Sequence, residues 1–159
     1  MSRRVLRIPL SFAVLMLWLS QPTFGQVIAL QERLAKTTAL NCNFSLMATG
    51  TWKDGVPSAA VTPAKLMVTF TKVDVDEGTA EAAGALGGSS LVVVRYANGY
   101  LHLMQTYSAG AIYTTTVLAK ATKDGRLMAV HTRHEYADIR LPGFTSSPEM
   151  YLGDCALGG

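Results

Sequence analysis

The stretch Ser90–Tyr107, SLVVVRYANGYLHLMQTY, decides the fold. Two apolar runs rich in β-branched and aromatic residues flank Asn98-Gly99, a dipeptide that accepts positive φ at both positions and so joins antiparallel strands through a two-residue turn. With that turn as the centre, Arg95 faces His102 and Val94 faces Leu103. Successive side chains then alternate between two faces. The same period of two extends outward. Lys65–Val73 (KLMVTFTKV) sets Leu66, Val68 and Phe70 against Met67, Thr69 and Thr71. Ala111–Lys120 (AIYTTTVLAK) has strand composition and leads through Thr122-Lys123-Asp124-Gly125 into Arg126–Tyr136. Phe44–Lys53 adds a strand at the front. Thr79–Gly84 adds a weaker one between the acidic turn Asp74–Gly78 and the glycine-rich Gly84–Ser90.

These segments predict an all-β domain: a single antiparallel up-and-down meander closing into a small barrel, with a β-sandwich as the alternative. Helical period is absent from Cys42–Ile139 but reappears at the ends. Val27, Leu30 and Leu34 share one face of a short helical turn, and Ser147-Pro148-Glu149 places proline where a helix would begin, ahead of Gly153. Val56–Pro63 (VPSAAVTP) reads as a proline-bounded loop, and Leu141-Pro142-Gly143 marks the end of the sheet.

The N-terminus has the layout of a secretory signal. Met1–Arg7 is short and basic, Ile8–Leu19 (IPLSFAVLMLWL) is apolar, and Ser20-Gln21-Pro22 is polar and turn-prone. The apolar run is too short for a membrane-spanning helix, which needs about 20 such residues. Cleavage is expected after Gly25, with Ala29 as the competing position, and Ser2-Arg3-Arg4 hints at a twin-arginine signal. The chain therefore divides into a signal peptide at 1–25, a short N-terminal segment at 26–38 and a barrel-like domain at 39–159. The expected location is the bacterial periplasm or the exterior, with no membrane span after cleavage. Arg3, Arg4 and Arg7 account for the whole net charge of +3; without them eleven basic residues balance eleven acidic ones. A neutral body lacks the basic patch that nucleic acid or an anionic membrane would require. In an exported domain the two cysteines, Cys42 and Cys155, are expected to form one disulfide joining the two ends of the fold.

Gly50-Thr51-Trp52 on the first predicted strand resembles the G-x-W signature of the calycins, the lipocalin and avidin-like barrels. The resemblance covers three residues. It implies an eight-stranded up-and-down barrel that often holds a small apolar ligand, with the tryptophan plugging one barrel end.

His131, Arg133 and Glu135 alternate along one strand and share a face, while Thr132, His134 and Tyr136 take the other. Two readings of the first face stand side by side. It is either a polar cluster inside or at one end of a barrel, joined by His102 and Arg95, or a solvated sheet surface with cross-strand ion pairs. His131-x-x-His134-Glu135 has a metal-like spacing that would converge on a helix but diverges on a strand, so no metal site is expected. Thr114-Thr115-Thr116 has no specified base, and Gly84–Gly88 lacks the lysine of a phosphate loop. No catalytic residue or cofactor is assigned. The ligand-binding candidates are Trp52, Arg95, His102, His131, Arg133 and Glu135. The expected function is non-catalytic binding of a small apolar or mixed ligand. The alternatives are a protein-interaction module or inhibitor contacting an envelope protein, and a hydrolase or metal-binding protein using His131, His134 and Glu135.

Overall fold

The computed structural model describes residues 24–83, 89–108, 110–135 and 147–158. The expected signal segment before Phe24, the 84–88 loop, Tyr136 and the turn at 141–143 lie outside them. One helix, α1 (Phe24–Ala35), precedes eight strands: β1 (Ala39–Lys53), β2 (Val56–Asp74), β3 (Thr79–Ala83), β4 (Ser89–Ala97), β5 (Tyr100–Thr106), β6 (Ile112–Ala121), β7 (Leu127–His134) and β8 (Glu149–Gly158). Each strand pairs antiparallel with the next and β8 returns to β1, so the meander closes into a barrel. The Asn98-Gly99 turn has both residues at positive φ, and Arg95 pairs with His102 and Val94 with Leu103.

Alternation fills the interior. Leu40, Cys42 and Phe44 of β1, Val68 and Phe70 of β2, Val92 and Val94 of β4, Leu101 and Leu103 of β5, and Val117 of β6 are all buried. Among the described residues the closing seam is the one pairing between strands that do not follow each other in sequence. There Cys42 lies directly opposite Cys155, and the two form a disulfide across a sequence separation of 113. Just above it β1 bulges between Phe44 and Leu46, and β8 meets the bulge with Gly153. A Cβ at that glycine would lie 2.1 Å from the carbonyl oxygen of Asn43, so only glycine allows this approach.

α1 covers the end of the barrel that carries the Asn98-Gly99 hairpin. Leu34 is wholly buried, Leu30 packs against the core, and the Tyr96 hydroxyl donates to the Gln31 carbonyl at 3.0 Å. The plug is therefore leucine from the helix, worth about 2 kcal/mol per buried side chain.

At the opposite end β1 and β2 run on beyond their neighbours as a two-stranded arm. Asp54 and Gly55, at φ 52° and 77°, form its two-residue turn. This corrects the reading of Val56–Pro63 as a loop: the chain reverses within two residues, and Val56, Pro57 and onward pair with Lys53, Trp52 and the residues before them. In such a hairpin the closing pair exchanges both hydrogen bonds, so the amide positions of residues 57, 59, 61 and 63 face the open edge of β2. Prolines occupy two of those four positions, which blunts the edge against further strand pairing. The helical turn expected to start at Ser147-Pro148-Glu149 is likewise replaced, the chain entering β8 at Glu149. Both β1 and β7 offer free ladders there, and pairing with two neighbours outweighs a single unsupported turn.

Candidate functional site at the arm end of the barrel

Parity along β7 sends Leu127, Ala129, His131 and Arg133 inward, the first three of them buried. The face carrying His131 and Arg133 is therefore interior, near the arm end, where the apolar core gives way to polar residues. His131 is 2% exposed and ringed by Phe44, Tyr113 and Tyr151 at centroid distances of 5.5, 6.2 and 5.8 Å. Arg133 Nε donates to His131 Nε2 at 3.3 Å, which fixes that nitrogen as the acceptor. The ring proton then sits on Nδ1 and points at Thr115 Oγ1, 2.8 Å away. Burial, reinforced by the Arg133 charge, lowers the histidine pKa to about 3.

The guanidinium of Arg133 lies between two aromatic rings, 5.1 Å from the centroid of Tyr113 and 5.4 Å from that of Tyr151. Such stacking favours a cation most where water is scarce. Each tyrosine is tied to a carboxylate. Tyr113 donates to Glu135 Oε2 at 2.7 Å and Tyr151 to Glu149 Oε2 at 2.5 Å. Glu149 also lies 3.9 Å from Arg133 Nη1, with both side chains less than one-fifth exposed. Burial and the bond to Glu149 push the Tyr151 hydroxyl up to about 12, and burial with Glu135 pushes that of Tyr113 well above its ordinary range. The neighbouring strand continues the polar lining. Gln105 Nε2 donates to Ser90 Oγ at 2.7 Å and to the Tyr107 hydroxyl at 3.2 Å, and the Tyr107 ring packs on Tyr113.

The sequence candidates separate in space. His131, Arg133 and Glu135 come together as one cluster. Arg95 and His102 pair as expected but on the outer wall, where His102 Nδ1 meets Thr116 Oγ1 at 3.0 Å and the ring stacks on Tyr100. They cannot join an interior site, because parity turns them away from it. Trp52 does not wall the interior or plug a barrel end. It sits on the arm, 53% exposed, and borders an outer recess of about 470 Å³ with His134, Glu135 and Pro148. Glu135 thus stands between that recess and the Arg133 cluster. The sequence reading missed Tyr151, Glu149, Thr115 and Gln105. For two of them a signal was present: Cys155 points inward, and residues 151 and 149 share its parity.

The arrangement suits recognition better than proton transfer. Both ring nitrogens of His131 are engaged, and its Nδ1 carries the proton, so it cannot take one from Thr115. His131 points in and His134 out, and among the described residues no three His, Cys, Asp or Glu side chains gather to hold a metal. No protein-family model, curated protein or solved structure matches the chain.

Proposed function

We propose that this protein is an exported, non-catalytic binding protein that holds a small polar or mixed molecule at the arm end of its barrel. The observation that carries the reading is Arg133, a charged side chain inside the barrel, clasped by Tyr113 and Tyr151. A cation placed in a folded interior is expensive unless it is paired, and a well-packed apolar substitute is commonly no less stable. Retaining it here supports a recognition role, with Arg133 and Tyr107 as donors and Glu135 and Glu149 as acceptors. At the helix end the interior is apolar instead, with Leu34, Leu40 and Phe70 wholly buried. The disulfide supports export. The eight-stranded up-and-down ring is the architecture that the calycin resemblance implies, although Trp52 does not play the part such a signature implies.

Native mass spectrometry of protein isolated from its host tests the proposal. A small-molecule adduct is expected on the wild type and lost from Arg133→Lys, which keeps the charge but not the planar stack between the tyrosines. A bare mass for the wild type, or an adduct indifferent to Arg133→Lys, would overturn it.

A further inference from the structure

Antiparallel register sets four inward side chains in one row at the arm end of the barrel: Gln105 of β5, Tyr113 of β6, Arg133 of β7 and Glu149 of β8. Two rows deeper the same strands carry Leu101, Val117 and Ala129, so polarity is confined to the mouth. Across the barrel the wall is apolar, where Met47 of β1 and Ala64 and Leu66 of β2 pack against the core. The arm end therefore has one hydrogen-bonding wall and one apolar wall.

The polar wall is left with open acceptors. Gln105 is 8% exposed and its Nε2 serves Ser90 and Tyr107, but its Oε1 has no partner among the described residues. Thr122 Oγ1 is the one fully buried side-chain atom without a partner among those residues, so Gln105 Oε1 keeps contact with solvent. Glu135 and Glu149 engage Tyr113 and Tyr151 through Oε2, and among the described residues their Oε1 atoms are open. Charge points the same way. Burial keeps His131 neutral, so Arg133 faces two carboxylates and one negative charge is in excess. The connection 136–146 holds one aspartate and one arginine, Asp138 and Arg140, which leave that excess unchanged. A surplus charge in a largely buried setting is costly without a counter-charge.

Resting on the binding role set out above, we propose that the ligand is an amphipathic amine, its ammonium group on the polar row and its apolar part against Met47, Ala64 and Leu66. Open acceptors alone would not choose between an amine and an alcohol; the charge does. An ammonium brings donors, no acceptor and one positive charge, which is what the row lacks. A carboxylate ligand would reach Arg133 only by adding a charge beside two of its own sign. Arg133 contributes by holding Tyr113 and Tyr151, whose hydroxyls in turn fix Glu135 and Glu149.

Three probes with one tail and different heads test this: hexylammonium, hexanoate and hexanol, titrated near neutral pH into nitrogen-15-labelled protein and followed by NMR. Hexylammonium should bind at least about tenfold more tightly than hexanoate, a margin that one charge contact in a low-dielectric wall supplies. Its largest shifts should fall on the Gln105 side-chain amide and the Arg133 Nε–H. Changing Glu135→Gln and Glu149→Gln together turns the excess charge positive and should reverse the preference to hexanoate. Glutamine still accepts from each tyrosine, and circular dichroism checks the fold. Should the double variant fail to fold, Glu149→Gln alone should narrow the preference to within about threefold. A wild type that prefers hexanoate or hexanol overturns the amine while leaving a binding site at the arm end. A preference for hexylammonium that survives the loss of both carboxylates also overturns it. No shift with any of the three overturns the amine and, together with a bare native mass, the binding role itself.

Discussion

Acid should destabilise this protein through His131, and the effect can be isolated. The folded ring is held near a pKa of about 3, by burial first and by Arg133 second, against 6.5 for a solvated histidine. Its folded value is depressed, so the unfolded chain binds the extra proton. Stability from this residue is complete above pH 6.5 and is lost as pH falls toward 3. Linkage with those two values gives a loss of about 2–3 kcal/mol between pH 8 and pH 4.5. Carboxylates titrate over part of the same range, so the measurement is a difference. Urea unfolding of wild type and His131→Gln is followed by circular dichroism at several pH values. Glutamine can donate to Thr115 and accept from Arg133 but carries no titrating proton. Its lost ring packing against Phe44 and Tyr151 lowers stability by a constant amount. The gap between the curves should shrink by about 2–3 kcal/mol on acidification, while the carboxylate contributions cancel. Parallel curves would refute the reasoning and mean that His131 reaches water.

Two further outcomes concern the closing seam. Replacing Cys42 and Cys155 together by alanine should cost about 5 kcal/mol by chain entropy and lower Tm by roughly 10–20 °C. The urea m value should rise, because the unfolded chain expands. A fall in Tm at constant m would assign the loss to packing around the sulfurs. Gly153→Ala should cost about 3 kcal/mol, since its Cβ would collide with backbone rather than with a yielding side chain. Gly50→Ala is the control: its nearest neighbour, the Pro148 carbonyl oxygen, is 3.9 Å away, and thermal melts should show almost no change.

The strands and hairpins were legible in the sequence where local chemistry sets them. Asn98-Gly99 fixed one register, and Leu66, Val68 and Phe70 marked their strand by alternation, with Val68 and Phe70 buried as that pattern demands. Asp54-Gly55 is a turn signal of the same kind, and weighing it would have turned the supposed loop at Val56–Pro63 into the returning strand of the arm. Ser147-Pro148-Glu149 misled because a proline at a helix start and a proline just before a strand look alike over three residues. At the site, alternation grouped His131 with Arg133 and set His134 apart, but it could not say which group faced the core.

What the sequence by itself determined is therefore what a few neighbouring residues can settle: period, turns, parity, and an oxidisable pair at the two ends of one domain. Tertiary structure decided the rest. The pairing of β1 with β8 joins segments about a hundred residues apart, and only that closure distinguishes an inside from an outside. Pairing of β6 with β7 and of β7 with β8 sets Tyr113, Arg133 and Glu149 side by side with Tyr151 next to them, and closure puts that face inside while Arg95, His102 and Trp52 stay on the surface. Side-chain parity is a property of the backbone, whereas burial is a property of what the sheet encloses.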